Sequence, residues 1–229
     1  MKLASIDRTG WLAVREGKKM AIRWLKKVFC AALALSAVSS VAASARAQTT
    51  CSGTQATNVP YNLLVPKGVT CTLEGITVTG SVTVEPGGCL IVGQASAPAT
   101  VGGNIIASDA ACVSIGFGSS VGGNVTALGT TGNPSGYKFN FLCNSLIGGS
   151  LSIESSTSGA NWCIGYTGSP CACAAGNHII GNLTFDNNKG ATNNISDNTI
   201  GSNLTCLNNT SPSGSGNTAS RKLGQCSSF

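Results

Sequence analysis

The fold turns on Val101-Gly102-Gly103-Asn104-Ile105, a phrase that returns as Val121-Gly122-Gly123-Asn124-Val125, Ile147-Gly148-Gly149-Ser150-Leu151 and Ile200-Gly201-Ser202-Asn203-Leu204. Looser copies are Val78-Thr79-Gly80-Ser81-Val82 and Ile179-Ile180-Gly181-Asn182-Leu183. Successive copies start 23, 20, 26, 32 and 21 residues apart. A constant phrase at an irregular interval marks stacked units, because loops can lengthen where a stacked strand cannot.

Aligned on the first apolar residue, the copies form columns. The fifth position holds Val82, Ile105, Val125, Leu151, Leu183 and Leu204, and the seventh Val84, Ala107, Ala127, Ile153, Phe185 and Cys206. Between them lie Thr83, Ile106, Thr126, Ser152, Thr184 and Thr205. Apolar, hydroxylated, apolar is a period of two, so each copy opens a short strand with one buried face. A second strand per unit is expected at Cys89-Leu90-Ile91-Val92, Cys112-Val113-Ser114-Ile115 and Phe139-Asn140-Phe141. Units of this length, built from short strands and turns, describe a coil whose strands pair one turn apart, about 4.8 Å away. The expectation is all-β: a single-stranded parallel β-helix of about six rungs over residues 76–210. The paired glycines read as a tight bend closed to other residues. Asn104, Asn124, Asn182 and Asn203 read as a ladder of stacked amides.

Residues 1–47 read as a secretory signal peptide with an upstream extension. Lys18, Lys19, Arg23, Lys26 and Lys27 precede an apolar run from Val28, and Ala45-Arg46-Ala47 fits a small-x-small cleavage site. Met20 is an alternative start. The run is too short for a membrane span, so none is expected after cleavage, and the product is expected to be secreted, periplasmic or on the cell surface. Nine of the 14 basic residues leave with this leader. Five remain against six acids, which removes the case for nucleic acid as a partner. Oligomeric state is not legible.

Ten of the 11 cysteines also remain, an even set in an exported chain, which favours disulfides. Residues 48–75 are expected to fold as an N-terminal cap over the first rung, pinned by Cys51–Cys71. Val82 to Ile105 and Cys89 to Cys112 are both 23 residues apart, so these two cysteines occupy one position on successive rungs, within disulfide reach. Residues 211–229 read as a C-terminal cap tied by Cys206–Cys226. Cys143, Cys163, Cys171 and Cys173 gather around the long insertion and allow three pairings.

The repeat resembles right-handed parallel β-helix proteins over about Ile76 to Leu207. With its Gly-Gly-Asn phrase and cysteine-closed tail, the chain is similar to uncharacterised secreted bacterial members of that class. That resemblance implies the right-handed coil and carries no assigned activity. Pectate-lyase-like members use an arginine base and an acidic calcium cluster, whereas the one arginine past the leader here is Arg221, in the tail.

Other chemistry is sparse. A glycosidase needs two carboxylates about 5–9.5 Å apart; Asp186, Asp197 and Glu154 are the candidates. His178 lacks a matching nucleophile, and Cys171-Ala172-Cys173 with His178 is not a zinc spacing. No metal or cofactor is expected. Trp162, Tyr166 and Tyr137, with His178, sit on insertions where aromatic rings can stack on sugars. The leading expectation is a non-enzymatic exported scaffold for adhesion to a cell-surface component or for glycan binding. A glycoside-hydrolase-like enzyme and an ice-binding threonine array are the alternatives.

Overall fold

The structure is a computed structural model and describes residues 47–94, 97–132, 140–165, 168–169 and 171–229. The expected leader, apart from Ala47, lies outside the described residues, as do Tyr137, Phe139 and Tyr166.

No helix occurs among the described residues. Strands of two to five residues form three sheets, of nine, eight and six strands, with every pairing within them parallel. The chain visits the sheets in fixed order. Thr100–Val101 joins the six-strand sheet, Ile105–Ser108 the nine-strand sheet and Cys112–Ile115 the eight-strand sheet, and the next turn repeats the circuit. Val125 pairs with Ile105 on one side and Leu151 on the other, the register the sequence columns require. This is a parallel β-solenoid. Both inward columns of the nine-strand sheet are buried, and so is the six-strand column Val78, Val101, Val121, Ile147, Ile179 and Ile200. The core is therefore one continuous apolar stack, and hydrophobic burial along it is the main stabilising term.

The coil is longer than the repeat phrase indicates. Residues 48–75 do not lie over an edge as a cap. Gln48–Thr50 and Asn62–Val65 extend the nine-strand sheet, Thr54–Gln55 and Thr70–Leu73 extend the eight-strand sheet, and Val59 bridges to Val78. Leu63, Val65, Cys71 and Leu73 alternate inward and are fully buried, which a lid could not achieve for all four. Pro60 and Pro66 fall outside the strands, where a missing N–H is tolerated. At the other end, Pro212–Ser215 and Arg221–Gly224 add further strands. Phe229 is buried against the end of the core, and Lys222 Nζ donates to its backbone oxygen.

The paired glycines serve close approach rather than unusual torsion. None of Gly102, Gly103, Gly122, Gly123, Gly148 and Gly149 adopts the left-handed region. A Cβ on Gly122 would lie 2.4 Å from the Gly102 oxygen, and one on Gly123 would lie 2.3 Å from Asn104 Oδ1. The space a side chain needs is filled by the rung below. Asn104 Oδ1 there accepts the Asn124 N–H at 2.8 Å, and Asn124 Oδ1 accepts the Ser150 N–H at 2.8 Å. The column continues through Ser150 Oγ to Asn182 and through Asn182 Oδ1 to Asn203. The expected ladder exists, and it runs mainly from side chain to backbone.

Candidate functional site

The insertion between Trp162–Ile164 and His178–Ile179 is held to the solenoid wall by two disulfides. Strand alternation turns Trp162 and Ile164 into the core and leaves Cys163 on the outer face, in register with Phe141. Cys163 bonds Cys171 (Cα–Cα 5.8 Å), and Cys143, directly after the preceding strand of the eight-strand sheet, bonds Cys173 (Cα–Cα 5.3 Å). Ala172, between the two bridges, is left-handed at φ 50°. The Asn144 N–H donates to the Ala175 oxygen at 3.0 Å, a backbone tie beside the bridges.

Beside this clamp lies an apolar recess of about 150 Å³, lined by Phe117, Phe141, Asn144, Cys143, Cys171 and residues 172–174. Phe117 and Phe141 meet edge to face, with centroids 6.1 Å apart and planes at 75°. Among the described residues no ionisable side chain lines the recess.

The residues expected to bind are not brought together here. Trp162 is fully buried in the core and is not a loop aromatic, which corrects its assignment to a sugar-binding surface. It sits between Asn140 and Asn193 in register, and its Nε1 donates to Ser156 Oγ at 3.0 Å. The reason is strand alternation, which the long insertion hides. His178 is exposed on the six-strand sheet, between Leu146 and Thr199, and does not line the recess. The other candidates of that set, Tyr137 and Tyr166, lie outside the described residues.

The acids separate likewise. Glu154 and Asp186 are in register on adjacent rungs, each the last residue of its strand in the nine-strand sheet. Asp197 lies beyond the whole of strand Asn193–Ser196, at the opposite corner, so it does not join them. Asp186 Oδ1 accepts the Leu207 N–H at 2.8 Å, and Glu154 accepts the Ser152 hydroxyl. Partial burial pushes the Asp186 carboxyl above its ordinary value. The Leu207 hydrogen bond opposes this, and the neighbouring Glu154 charge adds to it. Cys171 and Cys173 are both in disulfides, so neither offers His178 a thiolate for shared metal binding. Among the described residues no group of three or more His, Cys, Asp or Glu could hold a metal ion.

A second outward hydroxyl column appears on the six-strand sheet as Thr77, Thr100 and Ser120, then Leu146, His178 and Thr199. It lies on a different sheet from Thr83, Thr126, Thr184 and Thr205, so the two columns do not make one flat array.

Disulfide Cys89–Cys112 forms as the spacing indicates, Cys51–Cys71 and Cys206–Cys226 form as expected for the two terminal segments, and Cys143–Cys173 with Cys163–Cys171 completes the set of five. Five bridges in one domain belong to an oxidising environment. No helix among the described residues is long and apolar enough to cross a membrane. Comparison with protein-family models, curated proteins and solved structures gives no match. Fold and site together define a disulfide-stapled parallel β-solenoid carrying one clamped insertion beside an apolar recess.

Proposed function

We propose that the chain is an exported, non-enzymatic scaffold that presents its clamped insertion for recognition at the cell surface. The observation that carries this reading is the double disulfide clamp: two of five bridges fix one insertion against the wall beside a recess. A loop held this way keeps its bound shape without an ordering cost on each encounter. The carboxylates, by contrast, are engaged by a backbone amide and a hydroxyl. Glycan recognition, as one form of this role, now rests on Tyr137 and Tyr166.

The test is attachment of the purified oxidised protein to bacterial envelopes and to a glycan array. Attachment is expected to fall at least tenfold when the insertion, with its Cys171 and Cys173, is replaced by a short Gly-Ser turn and their partners Cys143 and Cys163 are changed to Ser, with the solenoid's circular dichroism unchanged. Attachment that survives this change overturns the reading. So does hydrolysis of a polysaccharide panel that disappears in Asp186→Asn. Loss of array binding in Tyr137→Ala or Tyr166→Ala selects the glycan form.

A further inference from the structure

Phe117 occupies a corner in a backbone conformation that suits few side chains. In register, three described equivalents on later rungs are Asn144, Asp197 and Gly216, whereas Gln94 on the preceding rung is not left-handed. Those three are left-handed, with φ of 49°, 57° and 69°, and are residue types that tolerate that region. Phe117 holds φ 58° with a bulky aromatic side chain, an uncommon and costly combination for such a residue. Its N–H is fixed to the Cys143 oxygen at 3.1 Å, and the Gly118 N–H to the Asn144 oxygen at 2.8 Å. Phe117 as a residue is 42% exposed, and the edge-to-face contact of its ring is with Phe141, at the recess. Packing alone does not require an exposed aromatic there.

We propose that the recess between Phe117, Phe141 and the two loop disulfides binds a single neutral aromatic ring. The volume, about 150 Å³, is that of an apolar cavity able to take one benzene ring. Phe117 and Phe141 offer aromatic edges and faces, and the sulfurs of Cys143, Cys171 and Cys173 offer polarizable contacts at a ring edge. A charged ligand finds no counter-charge in the lining and would be desolvated without compensation. Among the described lining residues a sugar finds one polar side chain, Asn144, against its several hydroxyls. This inference rests on the recognition reading above in taking the clamped loop as a binding element, and adds the chemistry of its ligand.

The probe is toluene, titrated into the oxidised protein and followed by NMR. Saturable binding is expected with a dissociation constant of about 0.1–10 mM, with ring-to-ring contacts to Phe117 and Phe141. Ala174→Trp, an exposed position on the lining, fills the recess and is expected to weaken binding at least tenfold. Phe117→Ala is expected to weaken it about two- to tenfold. Benzoate and glucose are expected to bind at least tenfold more weakly than toluene. Absence of saturation, full affinity in either variant, or benzoate or glucose binding as tightly as toluene overturns the proposal. A mass check for all five bridges accompanies each variant; if Ala174→Trp loses them, Phe117→Ala decides. Envelope attachment without a toluene site removes the ring site and leaves the scaffold reading; the reverse result removes the scaffold reading alone.

Discussion

Asp186 combines a hydrogen bond that favours its charge with surroundings that oppose it. Burial and the Glu154 charge outweigh the Leu207 amide, so its folded pKa lies above the unfolded one. A carboxyl raised in this way favours the folded state when protonated. That contribution is complete below the unfolded value and is lost as pH rises through the raised folded value. Asp186→Asn keeps an oxygen acceptor for Leu207 and removes the charge. Because the group is largely solvent-screened, the expected rise in melting temperature at pH 7 is on the order of 1 °C, vanishing near pH 3. Calorimetry at the two pH values checks it, and a loss of stability at pH 7 would contradict the assignment. Residue identity alone showed that this acid exists and that it faces Glu154. It did not show the Leu207 amide, which comes from the next rung.

The corners between strands carry two asparagine stacks of a different kind from the Gly-Gly-Asn ladder. Asn177, Asn198 and Asn217 are buried, each Oδ1 accepting from the previous rung. Their Nδ2 groups donate inward to Leu142, Ile164 and Ile195 oxygens. Asn188 and Asn209 form a second stack ending on Gln225. Asn198→Ala strands the Asn177 backbone N–H and one of its two Nδ2 hydrogens in the interior and removes the side-chain donor to the Ile164 oxygen, at about 1–3 kcal/mol for each unsatisfied group and about 3–5 kcal/mol in all. Asn124→Ala leaves the Ser150 N–H at an exposed corner, where water replaces the lost acceptor, and is expected to cost about 0.5–1 kcal/mol. Equilibrium denaturation separates these values; equal losses would contradict the distinction. The buried stacks were legible in principle, since Asn177 to Asn198 spans the same 21 residues as Ile179 to Ile200. Trp162 was not, because the insertions on either side of its strand break the count that would place it inward.

The molecule's two ends and its one clamp depend on features the repeat phrase does not carry. The columns through Val82 and Val84 gave the stacking, the register and the Cys89–Cys112 pairing directly, because equal spacing means equal position on a rung. The first turns escaped the same reading because residues 48–73 lack the glycine pair, although Leu63 and Val65 alternate as the later strands do. The recess escaped it because Phe117 and Phe141 meet only across an insertion of unpredictable length, and because four loop cysteines permit three pairings. A disulfide map of the unreduced protein by mass spectrometry reaches both the register and the clamp in one measurement. The expected result is Cys51–Cys71, Cys89–Cys112, Cys143–Cys173, Cys163–Cys171 and Cys206–Cys226 with no free thiol among these ten. Any other partner for Cys89 would contradict the solenoid register, and a Cys171–Cys173 bridge or free loop thiols would contradict the clamp.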